Sequence, residues 1–420
     1  MAERLPSLIG TIGFLTIAWL LSKDRRRIPW RTVAWGVGLQ LALGLTVLKT
    51  EFGRGIFDIA QAAANRLIAF AQEGASMVFG PLANRQLLTT HWGADNAYIF
   101  AVNVASIIIF ISALSALLYH WGVLPRLIRA AAWVMRRSMK TSGSESLAAA
   151  ANIFMGMTEA PLLVRPLLDR MTLSELMALM TGGMATIAGS VFATYVGFGI
   201  SAGHLLTASV MSAPAALMMA KIMWPETEAL ATDEASPSLD VDYVNSLDAL
   251  CRGANDGMRL AINVMAMLVA FVAAVAMANF LLTWPQQALF GLLDWNAKPV
   301  DFQTLIGWIN APFAWMMGVP SQDCVAVGRV LGERIVLNEF IGYLDLAQLK
   351  AHGNLAARSE TLATYALCGF ANFASIAIQI GGIGALAPSR RGDLARLGLR
   401  SMLAGLLACY FTASLVGLLS

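Results

Sequence analysis

Apolar residues run almost without interruption over six stretches of the chain, 5 to 22, 31 to 49, 97 to 120, 203 to 223, 257 to 284 and 397 to 419. Each is close to the roughly 20 residues a helix needs to cross a hydrocarbon core about 30 Å thick, so each predicts a membrane span. Four further segments, 144 to 170, 172 to 199, 322 to 346 and 359 to 387, are apolar overall but carry charges, glycines and prolines that lipid does not tolerate. Between residues 52 and 73 the pattern changes again. Ile56, Ile59, Ala60, Ala63, Leu67 and Phe70 share one helical face, while Asp58, Arg66 and Gln72 lie elsewhere. That predicts an interfacial helix, and a loop helix packed on protein fits the same pattern.

Composition agrees with the pattern. Of 420 residues 57% are hydrophobic and only 13% charged, against roughly 25% charged in a soluble domain, which excludes an ordinary soluble protein. The net charge of +3 is small, and the basic residues cluster beside apolar runs, which marks membrane orientation and not a nucleic-acid partner. Lys23, Arg25, Arg26, Arg27 and Arg31 join the first two spans. Arg126, Arg129, Arg136, Arg137 and Lys140 follow the third, and Arg390, Arg391, Arg396 and Arg400 precede the last. All three clusters are expected on the cytoplasmic side. That requires 144 to 170 and 322 to 346 to enter and leave on one side, as re-entrant hairpins, and 172 to 199 and 359 to 387 to cross. The fold class is therefore an all-α polytopic membrane protein with eight crossings and both termini outside. The acidic segment with Glu226, Glu228, Asp233, Glu234, Asp240, Asp242 and Asp248 then falls inside, because acids weigh little in this rule. The first apolar run precedes its basic cluster and shows no small-residue cleavage site before Arg25, so it is expected to be a retained span.

The expected organisation is 1–143 for N-terminal scaffold helices with the interfacial helix and third span, then 144–223 for the first hairpin, broken helix and following span. A cytoplasmic acidic linker, 224–256, leads to a second repeat over 257–420. The two units match internally. Gly183-Met184-Ala185-Thr186-Ile187-Ala188 aligns with Gly369-Phe370-Ala371-Asn372-Phe373-Ala374, each after a Ser-Glu start (Ser174-Glu175, Ser359-Glu360) and a hairpin carrying a glutamate, Glu159 or Glu339. Each ends in a Gly-x-Gly run (Gly197 and Gly199, Gly382 and Gly384). The orientation count inverts one unit relative to the other, the signature of a secondary transporter with its site at the midplane. Gly182, Gly183 and Gly189 in one helix, and Gly369, Gly381 and Gly382 in the other, are expected to mark unwinding, although glycine also serves close helix packing.

Glu159 and Glu339 both sit in apolar surroundings, where an ionised carboxylate costs about 2.5 to 3.5 kcal/mol on insertion scales unless partners compensate. One reading pairs them with Arg165 and Arg334 as structural ion pairs. The other, favoured by the matched hairpins, has both accept hydrogen bonds from a hydroxyl-rich substrate. Asn372 and Ser375 share a helix face, Thr158 adds a hydroxyl, Phe370 a wall and Val191 an apolar contact for a flat ring. No cationic clamp is evident, which disfavours phosphorylated or carboxylate substrates. The scattered cysteines (Cys251, Cys324, Cys368, Cys409) and histidines (His91, His120, His204, His352) predict neither a metal site nor a disulfide framework.

Three runs taken together resemble the concentrative nucleoside transporter family. They are Ala151-Asn152-Ile153-Phe154-Met155-Gly156-Met157-Thr158-Glu159-Ala160-Pro161-Leu162, then Val336-Leu337-Asn338-Glu339-Phe340, and Cys368-Gly369-Phe370-Ala371-Asn372-Phe373-Ala374-Ser375-Ile376-Ala377. The likeness covers most of the chain. It implies a homotrimer, an elevator motion and nucleoside uptake driven by a cation gradient across the inner membrane. It also assigns Met157, Thr158 and Glu159 to the base-facing hairpin motif, Val191 to a base contact, Glu339 to the ribose and Phe370, Asn372 and Ser375 to the second broken helix. The family commonly has glutamine where this chain has Met157, which places base selectivity in question. The sodium site of sodium-coupled relatives maps to Asn152, Thr181, Thr186 and Ile187, oxygen ligands suited to a hard cation. Proton coupling through Glu159 or Glu339 is the alternative. An intramembrane enzyme is the remote one, since Ser375 has no nearby histidine and no aspartate-rich pattern is present.

Overall fold

The computed structural model describes residues 4–93, 98–230, 243–293, 295 and 297–420, all helix and connection. Six helical stretches among them are long and apolar enough to cross a membrane: Trp30–Lys49, Phe100–His120, Leu173–Gly197, Ala202–Met223, Ser246–Leu292 and Pro388–Leu419. Two shorter apolar helices, Leu5–Leu20 and Phe373–Leu386, occupy the remaining two expected crossings. In chain order the helices are α1 (Leu5–Leu20), α2 (Trp30–Lys49), α3 (Glu51–Phe79), α4 (Arg85–Trp92), α5 (Phe100–His120), α6 (Val123–Met139), α7 (Gly143–Ala151), α8 (Ala160–Leu163) and α9 (Leu173–Ala185). They continue with α10 (Gly189–Gly197), α11 (Ala202–Met223), α12 (Ser246–Leu292), α13 (Phe302–Met317), α14 (Cys324–Val336), α15 (Glu339–Ala351), α16 (Ala357–Leu367), α17 (Phe373–Leu386) and α18 (Arg391–Leu419).

The three basic clusters gather at one end. Lys23 N bonds Met223 O at 3.0 Å, and Lys23, Arg396 and Arg400 all stand over the ring of Trp224, at 4.3, 5.8 and 5.2 Å. Thr32 donates to Met139 O at 3.0 Å, bringing the start of α2 to the basic end of α6. At the opposite end Arg358 donates to Gly417 O (2.6 Å) and Gly318 O (3.0 Å), and Arg4 to Ser420 O (3.0 Å). The first and last described residues therefore share the end away from the basic clusters. Of the acidic linker, Asp233, Glu234, Asp240 and Asp242 lie outside the described residues.

Two buried polar clamps root the helix pairs at these opposite ends. Ser142 and Thr172 open α7 and α9 with capping boxes closed by Glu145 and Glu175. The second oxygen of Glu175 accepts from Ser142 (2.6 Å) and Ser144 (2.9 Å), tying the two helix starts together. Lys221 of α11 pairs with Glu145 and donates to Ser174 at 2.8 Å. At the other end Asp323, just before α14, accepts from Ser359 Oγ and Ala356 N at the start of α16. Hairpin start and broken-helix start are thus joined in both units, with the acid on the broken helix in one and on the hairpin in the other. α14 and α15 run antiparallel, because Arg329 reaches Asp345 across the turn at 337–338.

Both broken helices break, but of the glycines expected to mark unwinding only Gly369 lies in a break and Gly189 borders one. The first opens at Thr186-Ile187-Ala188, with Thr186 extended (φ −123°, ψ 163°). Gly182 and Gly183 stay helical and serve close approach instead: a Cβ on Gly182 would stand 2.8 Å from Asn152 Nδ2. The second opens between Cys368 and Asn372, with Gly369 inside the break and Gly381 and Gly382 well within α17. The two breaks meet where Cys409 of α18 donates to Cys368 O (3.3 Å) and Ala185 O (3.6 Å). Cysteines far apart in sequence are neighbours here.

Three further differences have physical causes. α3 is longer than the expected interfacial helix and buries Gly53, Ala64, Ala71 and Ala75, while Ile59 and Phe70 face outward. Small residues let α3 lie against the molecule, and its large apolar ones are left to the surroundings. α13 is absent from the expected spans, because Asn310 and Pro312 interrupt its apolar run. Asp301 caps it, and hydrogen bonds from Thr304 hold that carboxyl below the usual range. α12 has 47 residues, about 70 Å at 1.5 Å per residue, and continues past both limits of the expected span.

Candidate functional site

Asn338 starts α15 by accepting from Ile341 N at 3.1 Å, which places Glu339 in the first turn of the helix, where the aligned peptide dipoles favour a negative charge. Asn372 does the same for α17, accepting from Ser375 N at 2.8 Å and leaving its Nδ2 free to donate. That donor goes to Glu339 Oε2 at 3.2 Å, and Tyr195 of α10 donates to Glu339 Oε1 at 3.1 Å. Tyr195 is itself held by stacking on Tyr343 (centroids 4.3 Å, 30° between planes) and an edge contact with Phe340 at 5.0 Å. Glu339, Asn372 and Ser375 are all buried. A hairpin tip and two broken helices, one from each unit, thus converge on one carboxylate whose partners are neutral.

Glu159 is placed differently. The tip of the first hairpin folds as a tight turn in which Glu159 N donates to Gly156 O (3.0 Å) and Gly156 N donates to Glu159 Oε2 (3.2 Å). Pro161 then opens the single turn of α8. Thr158 and Glu159 are exposed and Met157 is half-buried, so the Glu159 tip opens onto accessible space where Glu339 does not. Among the described residues no ion pair joins Glu159 to Arg165 or Glu339 to Arg334. Arg334 is buried, donates to Gly369 O at 3.4 Å and stands 5.6 Å from the ring of Tyr410.

Of the four candidate cation ligands, Asn152 lies against Gly182, Thr186 bonds Gly182 O, Thr181 precedes Gly182 on α9 and Ile187 lies in the first break. Asn152 ends α7 with both side-chain amide atoms buried and, among the described residues, unpartnered, and the same holds for Thr181 Oγ1. Thr186 Oγ1 donates to Gly182 O at 2.9 Å, which keeps its lone pairs available. Ile187 lies in the extended stretch, buried, with Gly189 N bound to Phe154 O (3.2 Å) just beyond it. Orphaned buried oxygens are rare in folded proteins and need a partner. Two of them beside an unwound segment form a donor set that fits a small hard cation.

Val191 is buried on α10 one turn before Tyr195, and Phe370 is half-buried in the second break. Tyr195 is a site residue that the sequence motifs do not single out. Its only signal there is a lone phenol in an apolar helix, four residues after Val191 and so on the same face.

The chain matches the family models "Na+ dependent nucleoside transporter C-terminus" over residues 204–417, "Na+ dependent nucleoside transporter N-terminus" over 9–82 and "Nucleoside recognition" over 101–202. It is 41% identical to mouse solute carrier family 28 member 3 over its full length, and spans 59% of that relative. It is 38% identical to mouse sodium/nucleoside cotransporter 1, covering 99% of this chain and 64% of the relative. The chain therefore spans about three-fifths of the mammalian relatives it matches. An uncharacterized transporter of Bacillus subtilis, YutK, is 40% identical over 98% of both chains. Among solved structures, CNTnw in an inward-facing substrate-bound state superposes with a TM-score of 0.91 at 39% identity, covering 99% of this chain and 97% of that one. A CNTnw variant in an outward-facing state gives 0.92 at 38% identity, covering 99% and 98%. The chain belongs to the concentrative nucleoside transporter family, a family of nucleoside transporters and not of enzymes.

Proposed function

We propose that this chain is a sodium-coupled symporter that imports nucleosides across a cell (inner) membrane. The observation that carries the reading is the convergence on Glu339: a buried carboxylate with one oxygen held by Tyr195 and the other by Asn372. Each oxygen keeps a lone pair for a substrate hydroxyl, and neighbouring ribose hydroxyls present two donors in a geometry a carboxylate accepts. Asn372 and Ser375 complete the ribose side, while Met157, Thr158, Glu159, Val191 and Phe370 enclose the base. Because the charged groups are fixed before substrate arrives, little ordering is left to oppose binding.

Sodium is the coupling ion in this reading, held by Asn152, Thr181, Thr186 and Ile187 at the first break. The orphaned Asn152 and Thr181 oxygens support it, since a cation is the partner they lack. The break that holds the ion also supplies α10, which carries Val191 and Tyr195. Filling the ion site therefore steadies the helix that holds Glu339, and this makes cation and substrate binding mutually favourable. Proton coupling is the second reading, favoured by a buried Glu339 that no arginine or lysine neutralises within ion-pair distance among the described residues.

The eight crossings, the two re-entrant hairpins and outward termini are proposed on the end-to-end placement of the basic clusters and the clamps. A homotrimer with an elevator motion is proposed on the division between core and periphery. In α18 83% of the apolar window is buried, whereas in α12 the share is 17%, leaving Val269, Val272, Phe280 and Trp284 exposed to lipid or to a second copy. The test is uptake of radiolabelled uridine into proteoliposomes under an imposed sodium or proton gradient. Accumulation driven by inward sodium at constant pH supports the reading. Accumulation that follows pH and ignores sodium moves the coupling to a carboxylate, and no accumulation under either gradient removes it.

A further inference from the structure

Gln379 is a buried polar side chain that the site described above leaves unused. It stands on α17 one turn beyond Ser375, so Asn372, Ser375 and Gln379 follow one another along one face of the helix. Only 1% of it is exposed. Its Nε2 donates to Met180 O of α9 at 3.0 Å, and because a carbonyl oxygen accepts only, that bond fixes the amide with its nitrogen toward α9. Oε1 is buried and, among the described residues, without a partner. An acceptor in that condition is open to a donor from a ligand or an ordered water.

The position of this amide is specific. A Cβ on Gly183 would stand 2.6 Å from Gln379 Nε2 and 2.7 Å from Met157 Cβ, so the amide and Met157 crowd one point on α9, and only glycine admits both. One turn further along α17, a Cβ on Gly382 would stand 3.7 Å from Thr158 Cγ2. This face of α17 therefore runs from the Asn372–Glu339 contact to the tip of the first hairpin. Seven residues separate Asn372 from Gln379, about 10 Å of helix, which is the reach of a nucleoside from its sugar hydroxyls to the far edge of its base.

We propose that Gln379 is a specificity-determining residue that reads the base: its Oε1 accepts a hydrogen bond from an N–H on the base edge, in place of the amide that Met157 does not carry. The proposal rests on the nucleoside reading of the pocket. The ligands it selects carry a donor at that edge, such as the N3–H of uracil or the exocyclic amine of cytosine and adenine. Met157 acts as a flexible apolar surface that adjusts to the ring. A site that hydrogen-bonds its substrate rejects analogues lacking the partner far more strongly than an apolar wall does.

The experiment is competition against radiolabelled uridine uptake in proteoliposomes, using uridine, 3-methyluridine, 5-methyluridine and 2′- and 3′-deoxyuridine. In the wild type, 3-methyluridine should compete at least tenfold worse than 5-methyluridine, which carries a methyl group of equal size but keeps N3–H. In Gln379→Met that ratio should fall below threefold while both deoxy penalties persist. Met157→Gln combined with Gln379→Met should restore the ratio by returning an amide to the hairpin. Wild-type protein that fails to separate the two methyluridines overturns the proposal without any variant, which keeps it falsifiable even if Gln379→Met does not fold. An unchanged ratio in an active Gln379→Met, or a change in sodium dependence alone, overturns it in favour of a brace between α9 and α17. Absence of uridine uptake with every cation, by contrast, strikes the nucleoside reading itself.

Discussion

Glu159 and Glu339 occupy matching places in the two halves of the molecule, each at the tip of a hairpin, yet one faces open space and the other is enclosed. The cause lies in how each tip folds and in what packs against it. Pro161 opens α8, which ends after a single turn, so the first tip stays a tight turn in which Gly156 N donates to the carboxylate. Asn338 instead caps a helix of 13 residues, whose first turn carries Glu339 inward against Tyr195 and Asn372. The comparison teaches that an internal repeat can keep its architecture without keeping its burial. In the proposed binding mode the enclosed acid is a pre-organised contact, and the open one meets the substrate as it enters.

The largest effect should come from the enclosed acid. Glu339→Gln and Asn372→Ala should each abolish nucleoside accumulation while leaving the amount of protein in the membrane unchanged. Each variant leaves a buried partner unsatisfied, at about 1 to 3 kcal/mol for a neutral group and more for a charged one. Uptake by either variant at the wild-type rate would show that Glu339 is a structural carboxylate and not a substrate contact. Glu159→Gln should cost less, a several-fold loss of uptake, because an accessible carboxylate with one backbone bond leaves no buried partner unsatisfied when it becomes an amide. A Glu159→Gln variant as dead as Glu339→Gln would erase the distinction between the two tips.

How far this contrast is legible in the sequence depends on the type of signal. Spans, basic clusters and the two broken segments leave marks along the chain, because lipid penalises every exception over some twenty residues at once. The convergence of Glu339, Asn372 and Ser375 is legible through motifs. Burial is not. Glu159 and Glu339 have equally apolar neighbours in sequence, and the residue that separates them is Tyr195, 144 positions from Glu339. The same holds for the clamp of Glu175 with Ser142 and Ser144, made between helix starts some thirty residues apart. Gly182 and Gly183 suggest unwinding points and are not, because glycine permits both a broken helix and a close one. The decision falls to the neighbour, here Asn152 and the pair Met157 and Gln379.

The cation prediction sharpens the comparison from the first break. Thr186→Val keeps the volume and removes a hydroxyl, and Thr181→Val removes one that is already orphaned. Each should raise the sodium concentration for half-maximal uptake several-fold, in line with a single lost contact of about 1 kcal/mol, without changing uptake at saturating sodium. Titration of uptake against sodium at fixed pH measures it. A shift in neither variant, with wild-type uptake still sodium-dependent, places the ion elsewhere. Asn152→Ala should do more than either, since it removes the one ligand with a full amide dipole.

The smallest effect is expected at Met157, on the open tip. A thioether offers the base a polarizable surface and only a weak acceptor, so Met157→Gln adds an amide beside the one that Gln379 already provides. Overall uridine uptake should change little. The order in which uridine, adenosine and inosine compete should change, because their edges present different donors and acceptors to a second amide. Penalties for 2′- and 3′-deoxy analogues should stay as they are, since the proposed mode places the sugar two turns away, at Asn372 and its partner Glu339. If the base order changes and the sugar penalties do not, the open tip reads the base and the enclosed tip the ribose. A variant that alters both together shows the two tips acting on one part of the substrate, and the division between them falls.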